Sequence, residues 1–368
     1  GENILDAFGH HAGCVDLFIA LFMSKPCNVV IVGASGYSGE ELVHLLSRHP
    51  KAELVAVTSR QAAGQLLGSV YPRFAATRYA SMPFIPSEVP AIVASGANVA
   101  FLALPHGVAH EFAGPLLEAG LRVIDLSADF RIKDPAVYAE FYGENHHAPH
   151  LARESVYGLV EVYREAIASA RLVASPGCYP TSILLPLIPL LRKGLLDTTT
   201  IHVSSMSGVS GAGRNAKIEY LYAECNESVR AYGVPKHRHL AEIEQELSLA
   251  AGHTVRISFT PHLIPVTRGI CTTIYAGLAP GRNADEVDHC LQRAYASAPF
   301  VRLLQPPALP DTKNVTRTNF VDLAWRWDAR TRRVVLLSAE DNLVKGAAGQ
   351  AVQSLNVLCG WPEAEGLL

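Results

Sequence analysis

One cysteine stands in a setting that suits chemistry. Cys178 lies in RLVASPGCYPTS, residues 171–182, after a short apolar run typical of a buried strand and two residues before Pro180. Proline is tolerated in the first turn of a helix, so the segment predicts that Cys178 begins one. The dipole at a helix N-terminus stabilises negative charge and therefore favours the thiolate, the nucleophilic form of cysteine. The other six cysteines are scattered singly and are typical of inert core thiols.

The helix dipole alone is too weak to ionise this thiol at neutral pH. Lowering its pKa by two units needs roughly 2.7 kcal/mol, whereas a helix terminus supplies about 0.3 to 1 kcal/mol. A histidine is the natural second group. YGVPKHRHLAEIEQEL, residues 232–247, offers His237 and His239, with Glu242 in the first turn of the helix it predicts. A Cys–His pair held by a carboxylate is the prediction, and the spacing leaves open which histidine Glu242 holds.

The same HxHxxE spacing is also compatible with a metal site. No cysteine or further histidine nearby completes a ligand set, so we expect no metal.

Three glycines mark a candidate dinucleotide site. They lie in VVIVGASGYSGEEL, after a strand-like run and at the opening of a helix-like one. At such a turn the backbone approaches a pyrophosphate, which binds the free N–H groups of the helix N-terminus. A tight turn without a ligand is the alternative. The cofactor-binding candidates here and after the following strand-like runs are Gly33, Ser35, Gly36, Tyr37, Ser38, Gly39, Ser59, Arg60, His106 and Gly107.

The cofactor is predicted from the end of the second strand-like run. An NAD-specific site places a carboxylate there for the ribose 2′-hydroxyl. The chain instead has Ser59 and Arg60, which suit a 2′-phosphate that a carboxylate would repel. We therefore expect NADP(H) rather than NAD(H).

Composition excludes several classes of protein. The chain has 368 residues, 49% hydrophobic content and a net charge of −3, which argues against binding to nucleic acid or to a membrane surface. Seven unpaired cysteines without a CxxC motif favour a reducing, cytoplasmic compartment. The apolar stretch at 14–23 is too short to span a bilayer and contains Asp16. Residues 1–22 are predicted to be an N-terminal extension before Met23.

The pattern of apolar residues predicts two domains. From Cys27, short apolar runs alternate with amphipathic stretches, as in a Rossmann-like parallel α/β sheet. After residue 180, longer alternating segments predict an α+β domain with a mixed sheet. The expected division is a dinucleotide-binding domain of 23–177 and 335–368, and a catalytic, substrate and oligomerisation domain of 178–334.

Two details concern helix ends. Pro186 and Pro189 predict that the helix starting at Cys178 is kinked or short. The segment NLVKGAAGQAVQSLNVLCG predicts a last helix that is capped by Asn342, ends at Gly360 and returns to the first domain.

Taken together, the motifs resemble those of the N-acetyl-γ-glutamyl-phosphate reductase family, which is related to the aspartate-semialdehyde dehydrogenases. The resemblance runs from residue 33 to 356 and covers nearly everything after Met23. The motifs that carry it are GASGYSGEEL, FLALPHG, DLSADFR, YGLVE, PGCYPTS, SGVSGAGR, HRHLAEI, FTPHLIPVTRGI and DNLVKGAAGQAVQSLN.

The resemblance implies NADPH-dependent reduction of N-acetyl-glutamyl 5-phosphate, a step of arginine biosynthesis, through a thioester on Cys178. It also implies His237 as acid/base with His239 second, and a homodimer or homotetramer. Anionic groups of such a substrate need cationic partners and backbone donors. The candidates are Arg131, which aligns with a phosphate-binding arginine of the semialdehyde dehydrogenases, together with Ser207, Gly211, Arg214 and Arg268.

Two alternatives remain open from the sequence. One is a different phosphorylating semialdehyde dehydrogenase, acting on an aspartyl or aminoadipyl phosphate. The other is a protein that binds NADP as a sensor without catalysis.

Overall fold

The computed structural model describes residues 26–214 and 216–368. The N-terminal extension expected at 1–22 lies outside these described residues, as does Met23. The described chain forms two seven-stranded sheets, each in its own half of the molecule.

The first half is a parallel sheet of strand order β3-β2-β1-β4-β5-β7-β6. Its strands are short and apolar because both faces are covered; every residue from Val29 to Val32 is fully buried. The strands are β1 Cys27–Val32, β2 Ala52–Thr58, β3 Phe84–Ile85, β4 Val99–Leu102, β5 Arg122–Asp125, β6 Val156–Tyr157 and β7 Leu172–Ala174.

The helices of this half follow the strands along the chain. The stretch between β2 and β4 contains a short strand, two short α-helices and a 3₁₀ turn at Pro72–Phe74. The helices are α1 Tyr37–Leu46, α2 Leu67–Val70, α3 Val89–Ala94, α4 His110–Glu118, α5 Pro135–Tyr142, α6 Pro149–Glu154 and α7 Val160–Ala168.

The second half is a mixed sheet of order β12-β13-β14-β11-β8-β10-β9. Two of its neighbouring pairs are parallel, β8 with β10 and β12 with β13, and the others are antiparallel. The elements are α8 Cys178–Arg192, β8 Leu196–Gly208, α9 Tyr222–Cys225, β9 Arg230–Ala231, α10 His239–Ala251, β10 Ser258–Ile264, β11 Ile270–Leu278, α11 Asp285–Tyr295, β12 Val301–Leu303, β13 Val321–Asp328 and β14 Arg333–Glu340. The predicted fold class, a Rossmann-like half plus a mixed-sheet half, is confirmed.

The helix that begins at Cys178 continues through Pro186 and Pro189, so of the two predicted alternatives, a kinked or a short helix, the short one is wrong. Proline cannot donate to the carbonyl four residues earlier, which frees the carbonyls of Ser182 and Leu185. Hydroxyl groups of other elements replace the missing donors. Ser338 Oγ donates to Ser182 O at 2.7 Å, and the Tyr295 hydroxyl donates to Leu185 O. Because these donors come from β14 and α11, only the tertiary fold makes the continuous helix possible.

The C-terminal segment differs in two ways from its prediction. Strand β14 keeps the chain in the second sheet until Glu340, rather than releasing it at 334. The cap is Asp341 and not Asn342, since Asp341 Oδ1 accepts the N–H groups of Leu343 and Val344 at 2.8 and 3.1 Å. Asn342 instead accepts the N–H of Gly269 at 2.8 Å.

After this cap, a π-helical turn over Val344–Ala348 leads into α12, Gly349–Leu358. Val352 and Leu355 of α12 pack in the hydrophobic core of the first sheet. No helix in the described part of the chain is long and apolar enough to cross a membrane.

Candidate active site

A cavity with a volume of about 710 Å³ is lined by residues of both halves. The first half contributes Gly33 and Leu104, which follow the carboxyl ends of β1 and β4, where ligands bind in open parallel sheets. The second half contributes Cys178 and His239, and the segment between β14 and α12 contributes Gly346. Residues from both predicted domains therefore meet in one site.

The glycine turn after β1 forms a cradle for an anion. Gly33 has φ of +88°, and a Cβ there would lie 2.5 Å from Ala103 O, so only glycine fits. Among the described residues, the N–H groups of Tyr37, Ser38 and Gly39 have no hydrogen-bond acceptor. These N–H groups open helix α1, where the dipole attracts negative charge. The turn therefore fits the pyrophosphate of a dinucleotide.

Ser59 and Arg60 lie in the same cavity wall, after β2. Ser59 Oγ donates to Ser35 Oγ at 3.1 Å and so ties the two loops together. The Arg60 side chain is 67% exposed, and its contact with Glu111 is long, at 3.4 Å. The guanidinium is thus available to a ligand phosphate, and these residues fit NADP(H).

Cys178 is the first residue of α8, but its environment does not favour a resting thiolate. Burial, and next the carboxyl group of Glu340, raise the pKa of the Cys178 thiol to about 12. The N–H of Tyr179 and the guanidinium of Arg131 act in the opposite direction and are outweighed. The physical reason is that desolvation destabilises the thiolate by more than one helix terminus stabilises it. The expected thiolate therefore has to form during the reaction.

His239 is the histidine beside this thiol. A Cβ on Gly177, the residue before Cys178, would lie 2.7 Å from His239 Nε2. Among the described residues, the buried Nδ1 of His239 has no hydrogen-bond partner. Burial, more than the nearby His237 and Arg131, moves the pKa of His239 well below its ordinary value. The imidazole is therefore neutral and able to accept a proton.

His237, expected as the acid/base, lies outside the wall of the cavity. Its ring packs edge-on against Tyr179, Tyr232 and Phe259. Its Nδ1 accepts the backbone N–H of His239 at 3.1 Å. Burial lowers the pKa of His237 to about 4. The geometry thus favours His239, with His237 shaping the turn that presents it.

Glu242 does not hold a histidine, contrary to expectation. Its Oε1 accepts the N–H of Gly177 at 2.8 Å and the hydroxyl of Tyr157 at 2.5 Å. Its Oε2 accepts from Arg131 Nη1 at 3.2 Å. This fully buried carboxylate therefore fixes the loop that carries Cys178.

The three candidate arginines have different surroundings. Arg131 lines the cavity and donates to Ser175 O and Leu126 O as well as to Glu242, which leaves N–H groups free in its five-donor fork. Arg214 reaches the cavity edge, where it pairs with Glu40.

Arg268 is not placed to bind a substrate. Its guanidinium is held between Glu41 at 2.6 Å and Asp341 at 3.5 Å, outside the wall of the cavity. Arg268 instead joins α1 of the first half to Asp341, the cap before α12.

The remaining candidates also divide into residues that line the cavity and residues that lie outside its wall. Gly211 and His106 line the cavity. Ser207 and Gly107 lie outside its wall: Ser207 Oγ donates to Gly208 O at 3.1 Å, and the N–H of Gly107 donates to Asp129 at 2.6 Å.

Several residues of the wall were missed by the sequence reasoning. Arg238 contacts the ring of His106 at 3.1 Å, and its position between the two histidines of HRH was the available signal. Asn342 and Gly346 also line the wall, although their segment was interpreted only as the start of a helix. Within the described ranges, no group of three or more His, Cys, Asp or Glu residues is arranged to hold a metal ion.

Two family models match the chain, described as "Semialdehyde dehydrogenase, NAD binding domain" for residues 28–170 and "Semialdehyde dehydrogenase, dimerisation domain" for 178–342. The chain is 60% identical over 343 residues to the N-acetyl-gamma-glutamyl-phosphate reductase of Akkermansia muciniphila, covering 93% of this chain and 99% of that one.

Two solved structures share the fold. Aspartate semialdehyde dehydrogenase II of Vibrio cholerae, complexed with ASA, is 19% identical with a TM-score of 0.69, covering 91% of this chain and 98% of that one. Aspartate semialdehyde dehydrogenase of Candida albicans, with NADP, is 17% identical with a TM-score of 0.66, covering 94% and 100%.

Proposed function

This chain belongs to the N-acetyl-gamma-glutamyl-phosphate reductases of the semialdehyde dehydrogenase family, and from that premise we propose that Cys178 and His239 carry its chemistry. The protein is an oxidoreductase that reduces N-acetyl-L-glutamyl 5-phosphate to N-acetyl-L-glutamate 5-semialdehyde and phosphate, using NADPH, in arginine biosynthesis. The observation that carries this function is the 60% identity over 93% of the chain. The activity expected from the resemblance is thereby confirmed, and the aspartate, aminoadipate and sensor alternatives are not favoured.

Bound NADPH supplies the hydride for this reduction. The N–H groups at the start of α1 would hold its pyrophosphate, and Arg60 would pair with its 2′-phosphate. The cradle around Gly33 lets the backbone approach these groups closely, because a side chain there would strike Ala103 O.

Thioester formation begins with proton transfer within the pair. His239 Nε2 accepts the proton of Cys178, and the resulting thiolate attacks the acyl carbon of the substrate. The bond from that carbon to the phosphate oxygen breaks, and the imidazolium gives its proton to the departing phosphate. Because His239 is neutral in the free protein, it starts the cycle as a base. Arg131, through its free N–H groups, and Arg238 would bind the phosphate, and their position in the cavity wall supports this.

Reduction then regenerates the thiolate. Hydride adds to the thioester carbon, and the oxygen becomes an oxyanion that N–H groups in the first turn of α8 stabilise. The oxyanion collapses to the aldehyde and expels Cys178 as a thiolate. The thiolate then takes one proton from solvent to restore the thiol. This replaces the proton that left with phosphate, so the cycle consumes one proton in all.

The reverse reaction tests this function directly. The purified protein is supplied with NADP⁺ and phosphate, and with N-acetyl-glutamate semialdehyde or aspartate semialdehyde in parallel, and formation of NADPH is followed by absorbance. We expect phosphate-dependent reduction with the N-acetylated aldehyde and little with the other. Preference for aspartate semialdehyde would overturn the substrate assignment.

The protein is a homo-oligomer, as its dimerisation domain indicates. We propose a homodimer that uses the open face of the second sheet, opposite α8. On this face Met206 and Tyr275 are 44% and 46% exposed, an unusual exposure for large apolar side chains in mid-strand. Tyr275→Glu is expected to reduce the mass measured by light scattering, whereas an unchanged mass would place the interface elsewhere.

We also propose a cytoplasmic location. The six cysteines of the described chain are all free, which suits a reducing compartment. Fractionation of the native source with an antibody to the protein tests this, and recovery in an oxidising compartment would contradict it.

A further inference from the structure

Glu340, the last residue of β14, is a buried carboxyl group with nothing to bind. Its side chain is fully buried. Among the described residues, neither Oε1 nor Oε2 has a hydrogen-bond partner. A buried polar group without a partner is costly, so a position that keeps one points to a function.

The same carboxyl group lies beside the reactive thiol. The position that a Cβ on Gly346 would occupy is 2.7 Å from Cys178 Cβ and 3.0 Å from Glu340 Oε1. The cysteine and the carboxyl group therefore both lie within 3.0 Å of one point beside Gly346, a space that only the absence of a side chain on Gly346 leaves open. Gly346 also lines the cavity, which places this contact next to the substrate.

The charged groups around Glu340 are already committed to other partners. Lys345 Nζ donates to Glu161 at 2.5 Å and to Gln353 at 2.8 Å. Asp341 caps the following turn and accepts from Arg317 N at 2.7 Å. Across the sheet, the neighbours of Glu340 are Ile270 and Val321, which are fully buried and apolar. A negative charge on Glu340 would therefore be compensated only by Lys345, whose charge is already paired with Glu161.

The other titratable groups near Cys178 are also accounted for. Arg131 and Glu242 are bonded to each other, and His239 is neutral. Arg131 is thus the cation near Cys178, and Glu242 already shares its charge.

We propose that Glu340 is a positioning residue for Cys178: the two groups share one negative charge, and Glu340 has to carry its proton while Cys178 is a thiolate. This rests on the proposed role of Cys178. Burial, and the nearby Asp341 and Glu161, move the pKa of Glu340 well above its ordinary value, against the opposing effect of Lys345. When Glu340 is protonated, the thiolate meets a neutral neighbour; when it is ionised, the thiolate is opposed by a charge of the same sign.

The test is the pH dependence of alkylation of Cys178. Glu340→Gln keeps the shape of the protonated side chain and removes its titration. Iodoacetamide modification of the Cys178 peptide is quantified by mass spectrometry as a function of pH, which separates this cysteine from the others. Because the competing charge is gone, the alkylation midpoint is expected to fall by about one pH unit, or about tenfold more thiolate at a pH below both midpoints. A curve that superimposes on that of the parent protein would overturn the proposal.

Glu246→Gln is the matched control. Glu246 is also buried and its pKa is also raised, but its carboxyl group accepts from Tyr163 and Gln245 and does not approach Cys178. This variant is expected to keep the alkylation curve of the parent protein. A shift as large as that of Glu340→Gln would show a general effect of buried charge and would also overturn the proposal.

A measurement on the unmodified sequence covers the case in which Glu340→Gln does not fold. Difference infrared spectroscopy follows the protonated carboxyl groups of the protein before and after Cys178 is alkylated. One carboxyl group is expected to titrate at lower pH after alkylation, because the thiolate no longer competes with it. No change in carboxyl titration would contradict the shared charge.

The two proposals fail in distinguishable ways. If Cys178→Ser retains turnover, the proposed chemistry is wrong, whatever the alkylation curves show. If Cys178→Ser abolishes turnover and the curves superimpose, only the role of Glu340 is wrong.

Discussion

The carboxyl groups of Glu242 and Glu340 both lie near the cysteine end of α8, and among the described residues only Glu242 has hydrogen-bond donors. Glu242 accepts from Gly177, Tyr157 and Arg131. Glu340 has no partner among the described residues. The same chemical group therefore has two uses: with donors it is a charged anchor for the loop, and without them it is a neutral neighbour of the thiol. Around this cavity, paired groups hold the structure and unpaired groups are available for chemistry.

The largest expected effect comes from the thiol on which both carboxyl groups act. Cys178→Ser should lower turnover by at least about 10³-fold, because the thioester cannot form and residual catalysis relies on binding alone. Binding of NADPH, measured by calorimetry, should be unchanged, since the cradle around Gly33 is untouched. Loss of turnover together with loss of NADPH binding would indicate a folding defect instead of a chemical one.

The two histidines extend the comparison, because His239 has an unpaired Nδ1 and His237 lies in an aromatic cluster. His239→Asn should lower kcat by about 10² to 10⁴-fold, the usual contribution of a general base. His237→Asn should have a smaller effect, through the turn it supports. Equal losses of kcat, or a larger loss for His237→Asn, would show that His239 is not the general base and would favour His237.

The pH profile provides a second measurement on the same pair. Protonation of His239 removes the base, and its lowered pKa delays that protonation to more acidic pH. Activity should therefore persist below the pH at which an exposed histidine becomes charged, and decline only as the pH falls through the lowered pKa. An acid limb at the ordinary pKa of histidine, in the profile of kcat/KM, would contradict this assignment.

Stability should separate the two carboxyl groups. Glu242→Gln leaves Arg131 buried without its charged partner and should destabilise the protein by about 3 kcal/mol. Glu340→Gln removes no hydrogen bond and should leave the free energy of unfolding nearly unchanged. Chemical denaturation of both variants at one protein concentration checks this, and a similar loss in the two would end the distinction drawn between them.

The smallest expected effect concerns two arginines. Arg60 is mostly exposed with one long ion pair, whereas Arg268 is held between two carboxylates. Arg60→Ala should weaken NADPH binding about tenfold, with NADH binding unchanged, because only NADPH has the 2′-phosphate. Arg268→Ala should lower the melting temperature and leave the KM for the acyl phosphate nearly unchanged. If Arg60→Ala binds NADPH as tightly as the parent protein, the 2′-phosphate is held elsewhere.

Local sequence signals predicted the parts of the site that depend on local backbone. The glycines after β1, the start of α8 at Cys178 and the alternation of β8, β10 and β11 all follow from residue type and short-range spacing. Such features are decided within one turn or one strand. The family and the reaction could be identified because whole motifs, and not single residues, carried the resemblance.

The roles that were misjudged depend on contacts between distant segments. Glu242 accepts hydrogen bonds from Gly177 and Tyr157 rather than from a histidine. Asp341 caps the turn that Asn342 was expected to cap. The prolines of α8 are accommodated by hydroxyl groups on β14 and α11. None of these partners is near in sequence to the residue it serves, except at the cap, where two adjacent residues of similar propensity competed.

By itself, the sequence determined which residues carry reactive groups and which backbone turns hold them, because those properties depend on composition and on neighbours a few residues away. Only the tertiary structure decided how each group is charged. The pKa of Cys178, the proposal of His239 rather than His237 as the base, and the isolation of Glu340 all rest on burial and on partners brought from other elements. Desolvation is a property of the folded interior, and the order of residues along the chain does not reveal it.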